Sequence, residues 1–145
     1  MKKQLRFWRY IKKEPFLDFF KNIVLSSIVK APISYKETYS GAVESDSNSN
    51  NKLIPIKDIK ANILMIAGKD DQLWDSLSMA NEIKSQLPDS KLLSYKDALH
   101  IFAGNGILNL DNMRINIDGT LDANQKAKIE SDSAIIQFLK DQHKY

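Results

Sequence analysis

The sequence contains no cysteine among its 145 residues. Disulfide bonds, thiolate metal ligands and a cysteine nucleophile are therefore all excluded within this stretch of chain. An absence of cysteine fits a protein of the cytoplasm, where disulfides are rare, and we expect a cytoplasmic location. We also predict no metal site and no bound cofactor.

Long hydrophobic runs are missing too. No stretch of about 18 or more apolar residues occurs, so no transmembrane segment is expected. The first residues do not resemble a signal peptide, because Arg6, Arg9, Lys12 and Lys13 interrupt any hydrophobic core. The net charge is only +3, and beyond the start of the chain the basic side chains are scattered. This distribution argues against a nucleic-acid partner.

Glycine is scarce, and its spacing excludes one catalytic motif. A nucleophile elbow of the form Gly-x-Ser-x-Gly needs two glycines four positions apart. No two of the five glycines have that spacing: they are Gly41, Gly68, Gly104, Gly106 and Gly119. These residues therefore hold neither a serine elbow nor a cysteine nucleophile.

The patterns that are present predict a single, partial α/β domain over residues 1–145. Residues 1–52 are interpreted as a helical or lid segment with a polar loop, and residues 53–145 as a strand–helix–strand core with a long loop and a C-terminal helix. We predict an amphipathic helix over about 14–29, one short helical turn at Tyr35 and Tyr39, a mobile loop over 45–51, strands over about 62–67 and 91–95, a helix over about 75–87, an irregular connection over 101–120, and a final helix from about 121 to 141.

The chain is organised around the apolar run at residues 63–67. This run has no polar alternation, which is typical of a central strand of a parallel sheet with both faces covered. It stops at Gly68, and Asp70 and Asp71 follow. The second strand is predicted to be parallel to the first, because the helix between them makes a crossover connection.

Asp71 and His100 each follow one of these two strands. Parallel neighbours lie about 4.8 Å apart, and both residues come after carboxyl ends of strands, so we expect the side chains to meet. A carboxylate beside a histidine is the acid–base part of a hydrolase triad. The alternative for Asp70 and Asp71 is a solvated, helix-capping pair, and for His100 a loop histidine bonded to the backbone.

Four blocks in this order and spacing resemble a known family. They are residues 54–59, residues 63–74 with Gly-Lys-Asp-Asp-Gln-Leu-Trp, residues 95–100, and residues 119–124 with Gly-Thr-Leu-Asp-Ala-Asn, followed by Asp132, Ser133 and residues 138–140. Together they are similar to the C-terminal catalytic domain of the acyl-CoA thioester hydrolase and bile acid-CoA:amino acid N-acyltransferase family. That family is itself similar to the dienelactone-hydrolase-like α/β-hydrolases, which implies the C-terminal part of that fold.

By this resemblance, Asp71 is the triad acid and His100 the triad base, and the family spacing Gly-x-x-Asp selects Asp71 over Asp70. The implied substrate is an acyl-CoA thioester, whose acyl group passes to water or to an amino acid, in fatty acid metabolism. One departure concerns Leu99, since the family usually has glycine before the histidine. Leucine does not tolerate positive φ as glycine does, so we expect an altered histidine loop.

The second departure is the missing nucleophile. We therefore expect the C-terminal piece of a longer enzyme, inactive alone, which pairs with an upstream fragment that carries the nucleophile. Two strands do not cover their own faces, so residues such as Phe20, Ile63 and Met65 should line an exposed apolar surface. The alternative is a non-catalytic interaction module derived from an α/β-hydrolase, and a weaker one is a membrane-surface anchor at the basic start.

Overall fold

The computed structural model describes residues 13–111 and 113–143, so the basic start of the chain and its proposed role as an anchor lie outside the described residues. In order, the described elements are α1 (Lys13–Val29), α2 (Lys36–Ser45), a short 3-10 helix (Ser49–Lys52), β1 (Leu64–Gly68), α3 (Ser76–Gln86), β2 (Lys91–Tyr95), β3 (Ile107–Leu110), β4 (Met113–Asn116) and α4 (Leu121–Gln142). The mixture of helices and small sheets is that of an α/β domain. None of the described helices is both long and apolar enough to cross a bilayer.

The strands β1 and β2 form a parallel pair, as the sequence predicts. Leu64 lies opposite Lys91, and Gly68 lies opposite Tyr95, so the two strands end together. The helix α3 is the crossover between them, and both α3 and α4 pack against the pair. The carboxyl ends of β1 and β2 therefore meet at one edge, which is where the acid and the histidine follow.

The connection between β2 and α4 is not irregular, which corrects the prediction over 101–120. It contains an antiparallel hairpin of β3 and β4, with Ile107 opposite Asn116 and Leu110 opposite Met113. Ile33 joins the outer edge of β4 by a bridge to Ile115. Strands of four residues with mixed apolar and polar positions carry too short a pattern to be recognised in the sequence.

The segment around the two tyrosines is more helical than predicted. Tyr35 lies just before α2, and Tyr39 lies within it, so the expected single turn is a helix of ten residues. The N–H groups of Tyr35 and Lys36 both donate to the carbonyl oxygen of Gln72, at 3.0 Å each. A partner distant in the chain therefore satisfies donors at the start of this helix, a contact that local propensity does not reveal.

The hydrophobic core lies beneath the histidine loop. Leu99, Ile115 and Ile117 form its buried cluster, and the partly buried Tyr35 and Leu73 pack against it. The residue immediately before His100 is therefore anchored in the core, while His100 itself emerges at the sheet edge. This buried cluster thus holds the histidine loop in place.

The first part of β1 is only half covered. Its residues 64–66 are half-buried, and only Ala67 and Gly68 are buried. A shallow cleft of about 470 Å³ opens beside it, which we name the β1/α4 cleft; it is lined by Asn62, Ile63, Leu64, Ile66, Ile135, Phe138 and Leu139. Phe20 is 55% exposed. Phe20 thus lies at exposed apolar surface as expected, whereas Ile63 and Met65 are both half-buried, and of these two only Ile63 lines the cleft.

Candidate active site

The loop after β1 holds Asp71 in a buried position, with 1% of the residue exposed. Its Oδ1 atom accepts hydrogen bonds from the backbone N–H groups of Leu73, at 2.8 Å, and Trp74, at 3.3 Å. Its Oδ2 atom accepts one from the Ser76 hydroxyl, at the first residue of α3. An aspartate whose side chain bonds the backbone N–H two residues later forms a tight turn. The residues that follow Asp71 therefore hold its carboxylate in place.

The structure brings the two predicted site residues together. The Nδ1 atom of His100 lies 2.9 Å from Oδ2 of Asp71, and the histidine side chain is 22% exposed. An ionised carboxylate only accepts hydrogen bonds, so Nδ1 of the imidazole donates and Nε2 carries the lone pair of the neutral ring. This arrangement allows Nε2 to take a proton from a reacting group while the buried acid stabilises the charged ring.

Two further residues contact this pair, and the sequence reasoning assigned neither a role at the site. Trp74 places the edge of its ring against His100, with ring centroids 4.4 Å apart and planes at 82°. Ser76, predicted only as the start of a helix, bonds Asp71. Their one signal in the sequence is that both follow within five residues of the acid, and Trp74 also ends the block shared with the family.

Asp70 has a different partner from Asp71. Its Oδ2 atom accepts a hydrogen bond from the backbone N–H of Asp97, at 2.6 Å. Asp97 adopts a left-handed conformation, with φ of 56°. The first carboxylate of the pair therefore holds the backbone of the histidine loop, and the second holds the imidazole.

Leu99 does not adopt the positive φ that leucine tolerates poorly. It is absent from the positive-φ residues of the described chain, and Asp97 takes the left-handed conformation two positions earlier. The leucine side chain is fully buried in the core cluster. Leucine at this position therefore needs no positive φ and adds an apolar anchor, while a loop geometry altered relative to the family stays a prediction.

Asn124 fastens the histidine loop to α4. Its Oδ1 atom accepts from the backbone N–H of Leu99 at 3.0 Å, and its Nδ2 atom donates to the carbonyl of Gly104 at 3.1 Å. The side chain is fully buried, and both of its polar ends are satisfied. Sequence reasoning quoted this residue as part of a family block without a role. A buried amide that bonds both sides of a loop explains why asparagine stands there.

Gly68 permits the close approach of the two loops. A Cβ atom at this position would collide with the carbonyl oxygens of Ala98 and Leu99. The end of β1 therefore touches the backbone just before His100, and no side chain fits between them. This contact sets the short distance between the acid loop and the histidine loop.

The rim of the site carries one ion pair. Lys36 of α2 lies 3.4 Å from Asp75, directly before α3. A hydrogen bond from Ser78 lowers the pKa of Asp75 below its ordinary value, against partial burial that raises it, and Lys36 lowers it further. At the end of β2, burial raises the pKa of Tyr95, with a further contribution from Glu130. Within residues 13–111 and 113–143, no cluster of three or more potential metal ligands occurs.

The fold and the site together define a class: an α/β domain with a buried carboxylate and a histidine paired where adjacent parallel strands end. A family model described as "BAAT / Acyl-CoA thioester hydrolase C terminal" matches residues 33–144. The chain belongs to this family, which confirms the resemblance drawn from its sequence blocks. A search of the curated proteins found no match.

Proposed function

We propose that this chain supplies the acid and the base of an acyl-CoA thioester hydrolase or acyl-CoA:amino acid N-acyltransferase. In this proposal Asp71 is the acid, His100 is the base, and β1, α3 and β2 are the end of an α/β-hydrolase sheet. The nucleophile comes from a segment outside residues 1–145, and the reaction takes place in the cytoplasm. The observation that carries the proposal is the 2.9 Å contact between Nδ1 of His100 and Oδ2 of the buried Asp71.

The chemistry follows from that contact. Nε2 of His100 takes the proton of a serine or cysteine nucleophile as its oxygen or sulfur attacks the thioester carbonyl. The tetrahedral intermediate then expels coenzyme A, which leaves as the thiol after His100 returns the proton. The base next deprotonates water or an amino-acid amine, which attacks the acyl-enzyme and releases an acid or an amide. Asp71 stabilises the imidazolium formed in each half-reaction.

Turnover by the purified chain tests the absence of the nucleophile. Hydrolysis of decanoyl-CoA is followed by the release of free thiol, and because the chain has no cysteine, all thiol signal comes from coenzyme A. We expect no rate above that of buffer, with the His100→Ala variant as the matched control. A rate that is present in the unaltered chain and lost in the variant would contradict the incomplete site.

The protonation state of the imidazole tests the acid–base pair without any turnover. Nitrogen-15 NMR should show His100 with its proton on Nδ1, and the chain offers only His143 as a second histidine signal. Asp71→Asn removes the carboxylate, so the His100 ring should lose this single tautomer. Asp70→Asn is the control, since Asp70 bonds a backbone N–H instead. An unchanged tautomer in Asp71→Asn would exclude the proposed role of Asp71.

A second candidate function is a non-catalytic interaction module, which the β1/α4 cleft favours. Exposed apolar surface of this kind marks contact sites in many proteins. The DNA before the codon for Met1 distinguishes the two. An in-frame Gly-x-Ser-x-Gly or Gly-x-Cys-x-Gly behind a frameshift or stop supports the enzyme. A promoter and ribosome-binding site directly before Met1 support the module.

A further inference from the structure

We propose that a groove between α2 and the 3-10 helix binds the acyl chain of the thioester. This inference rests on the proposed function, since it names where the substrate lies relative to His100. The groove has a volume of about 360 Å³ and is lined by Tyr39, Ala42, Val43, Asp46, Ser49, Lys52 and Leu53. This volume falls within the range of small-molecule sites, which is roughly 300–1,000 Å³.

The walls of the groove suit an apolar ligand. Val43 and Leu53 are both more than half exposed, although each is a large apolar residue. The charged residues of the groove neutralise each other, since Lys52 forms an ion pair with Asp46. An acyl chain that covers these side chains removes apolar surface from water without leaving either charge unpaired.

A row of aromatic rings joins the groove to the histidine. Tyr39 belongs to the groove, and its ring also meets the ring of Trp74, with centroids 6.4 Å apart. Trp74 in turn contacts His100 at 4.4 Å. The groove is thus two ring contacts away from the imidazole, on the side where α2 borders the site. A thioester carbonyl beside Nε2 of His100 can extend its acyl chain along this aromatic row.

The position of α2 is fixed relative to the acid loop. The carbonyl of Gln72 accepts hydrogen bonds from the start of α2, and the Ser34 hydroxyl bonds Gln72 through both its carbonyl and its side chain. The ion pair of Lys36 with Asp75 ties α2 to the start of α3. Because Gln72 is the residue after Asp71, these contacts hold the groove at a fixed distance from Asp71 and His100.

The β1/α4 cleft is larger, but it lies at the wrong end of the strand. Its lining begins at Asn62 and Ile63, before β1, whereas the acid and the histidine follow the other ends of β1 and β2. An acyl chain in that cleft would lie toward the opposite end of the strand pair from His100. The cleft therefore serves as the internal comparison for the groove.

Binding to the full chain tests this inference separately from catalysis. The only tryptophans are Trp8 and Trp74, so in a Trp8→Phe background the fluorescence reports Trp74 alone. We titrate this protein with coenzyme A and with hexanoyl-, octanoyl- and decanoyl-CoA. Each added methylene should tighten binding by up to about fourfold, the effect of burying one methylene, until the groove is full. Affinities equal to that of coenzyme A would overturn the inference.

Two groove variants and one cleft variant locate the ligand. Val43→Asp places a charge in the groove, and Ala42→Phe fills it without adding a second tryptophan; both sites are exposed, so neither change should affect folding. Each should weaken decanoyl-CoA by about tenfold or more and leave coenzyme A unchanged, since about two methylenes would lose their cover. Ile135→Asp in the β1/α4 cleft should have no effect. If Ile135→Asp weakened the binding of decanoyl-CoA and the two groove variants did not, the acyl chain would lie in the cleft and the inference would be overturned. The tautomer of His100 would still test the proposed function separately.

Discussion

The two ends of β1 differ in how completely they are covered. At the carboxyl end, Gly68 is buried, the next loop holds a buried carboxylate, and the buried Leu99 and Asn124 bond each other. At the amino end, residues 64–66 are half-buried, and Leu64 and Ile66 line the open β1/α4 cleft. The carboxyl end of this five-residue strand is thus covered by other parts of the chain, whereas its amino end is only partly covered.

This difference shows which part of the domain is self-sufficient. The acid, the histidine and the residues that hold them all lie within the described chain and satisfy one another. No buried side-chain polar atom of the described residues lacks a hydrogen-bond partner. The open end instead presents apolar side chains, which a neighbouring strand or helix would cover. The predictions below test this contrast by disturbing each end in turn.

Gly68→Ala should have the largest effect, at the closed end. The new Cβ atom would collide with two backbone carbonyls, so we expect a loss of about 3 kcal/mol in the free energy of unfolding, measured with urea. The control is Gly104→Ala. Unlike Gly68, Gly104 has a positive φ, of 80°, but its Cβ position is open, so only about 1 kcal/mol of backbone strain applies. Equal losses would mean that the close approach at Gly68 does not matter.

Asn124→Ala should have the second largest effect. It leaves the Leu99 N–H and the Gly104 carbonyl without their partner, at a cost of about 2 kcal/mol. Hydrogen exchange at the Leu99 amide should become faster. Gln125→Ala, on the exposed face of the same helix, should change stability by less than about 0.5 kcal/mol. A variant as stable as the unaltered chain would show that α4 does not hold the histidine loop.

Asp75→Asn should have a smaller effect that depends on pH. The pKa of Asp75 is lowered in the folded protein, so its carboxylate stabilises the fold above its ordinary value of 3.8 and loses this contribution as the pH falls through the lower, folded-state pKa. The side chain is partly exposed, so we expect less than about 1 kcal/mol. Urea unfolding between neutral and acid pH should therefore show a weaker acid destabilisation in the variant. An identical pH dependence in the unaltered chain and in Asp75→Asn would contradict this prediction. The control is Asp89→Asn, which alters an exposed carboxylate.

Ile135→Lys should have the smallest effect on stability, at the open end. Ile135 is 40% exposed in the β1/α4 cleft, so its replacement should change the free energy of unfolding by only about 0.5 kcal/mol and raise solubility. Ala127→Lys on the same helix is the contrast, because Ala127 is 1% exposed and a lysine there should unfold the domain. Comparable losses would show that the open end is packed after all.

The sequence predicts those parts of the fold that local patterns determine. The apolar run before Gly68, the crossover helix and β2 appear within about two residues of their expected bounds, because periodicity and breaking residues mark them. The meeting of Asp71 and His100 follows from parallel pairing, which places both after the same edge. These expectations needed no contact between distant segments beyond the strand pair itself.

The remaining features depend on contacts that no local pattern encodes. The hairpin of β3 and β4 forms beside Ile33. The helix α2 begins where the backbone N–H groups of Tyr35 and Lys36 donate to the carbonyl oxygen of Gln72. Asp97, just before the histidine, adopts a left-handed conformation, and a carboxylate 27 positions earlier holds it in place. Each of these features depends on a contact with a residue that is distant in the chain. The conformational propensity of the residue itself therefore does not predict it.

The hydrogen bonds around His100 also determine when the site forms during folding. The partners of Asp97, Leu99 and His100 are 27, 25 and 29 residues away along the chain. Each contact therefore closes a long loop, at an entropic cost that must be met before the contact forms. Local helices arise early and such distant pairings late. The pairing of β1 with β2 closes a loop of similar length, since Leu64 and Lys91 are 27 residues apart, so we expect the acid and the imidazole to meet once the two strands have paired.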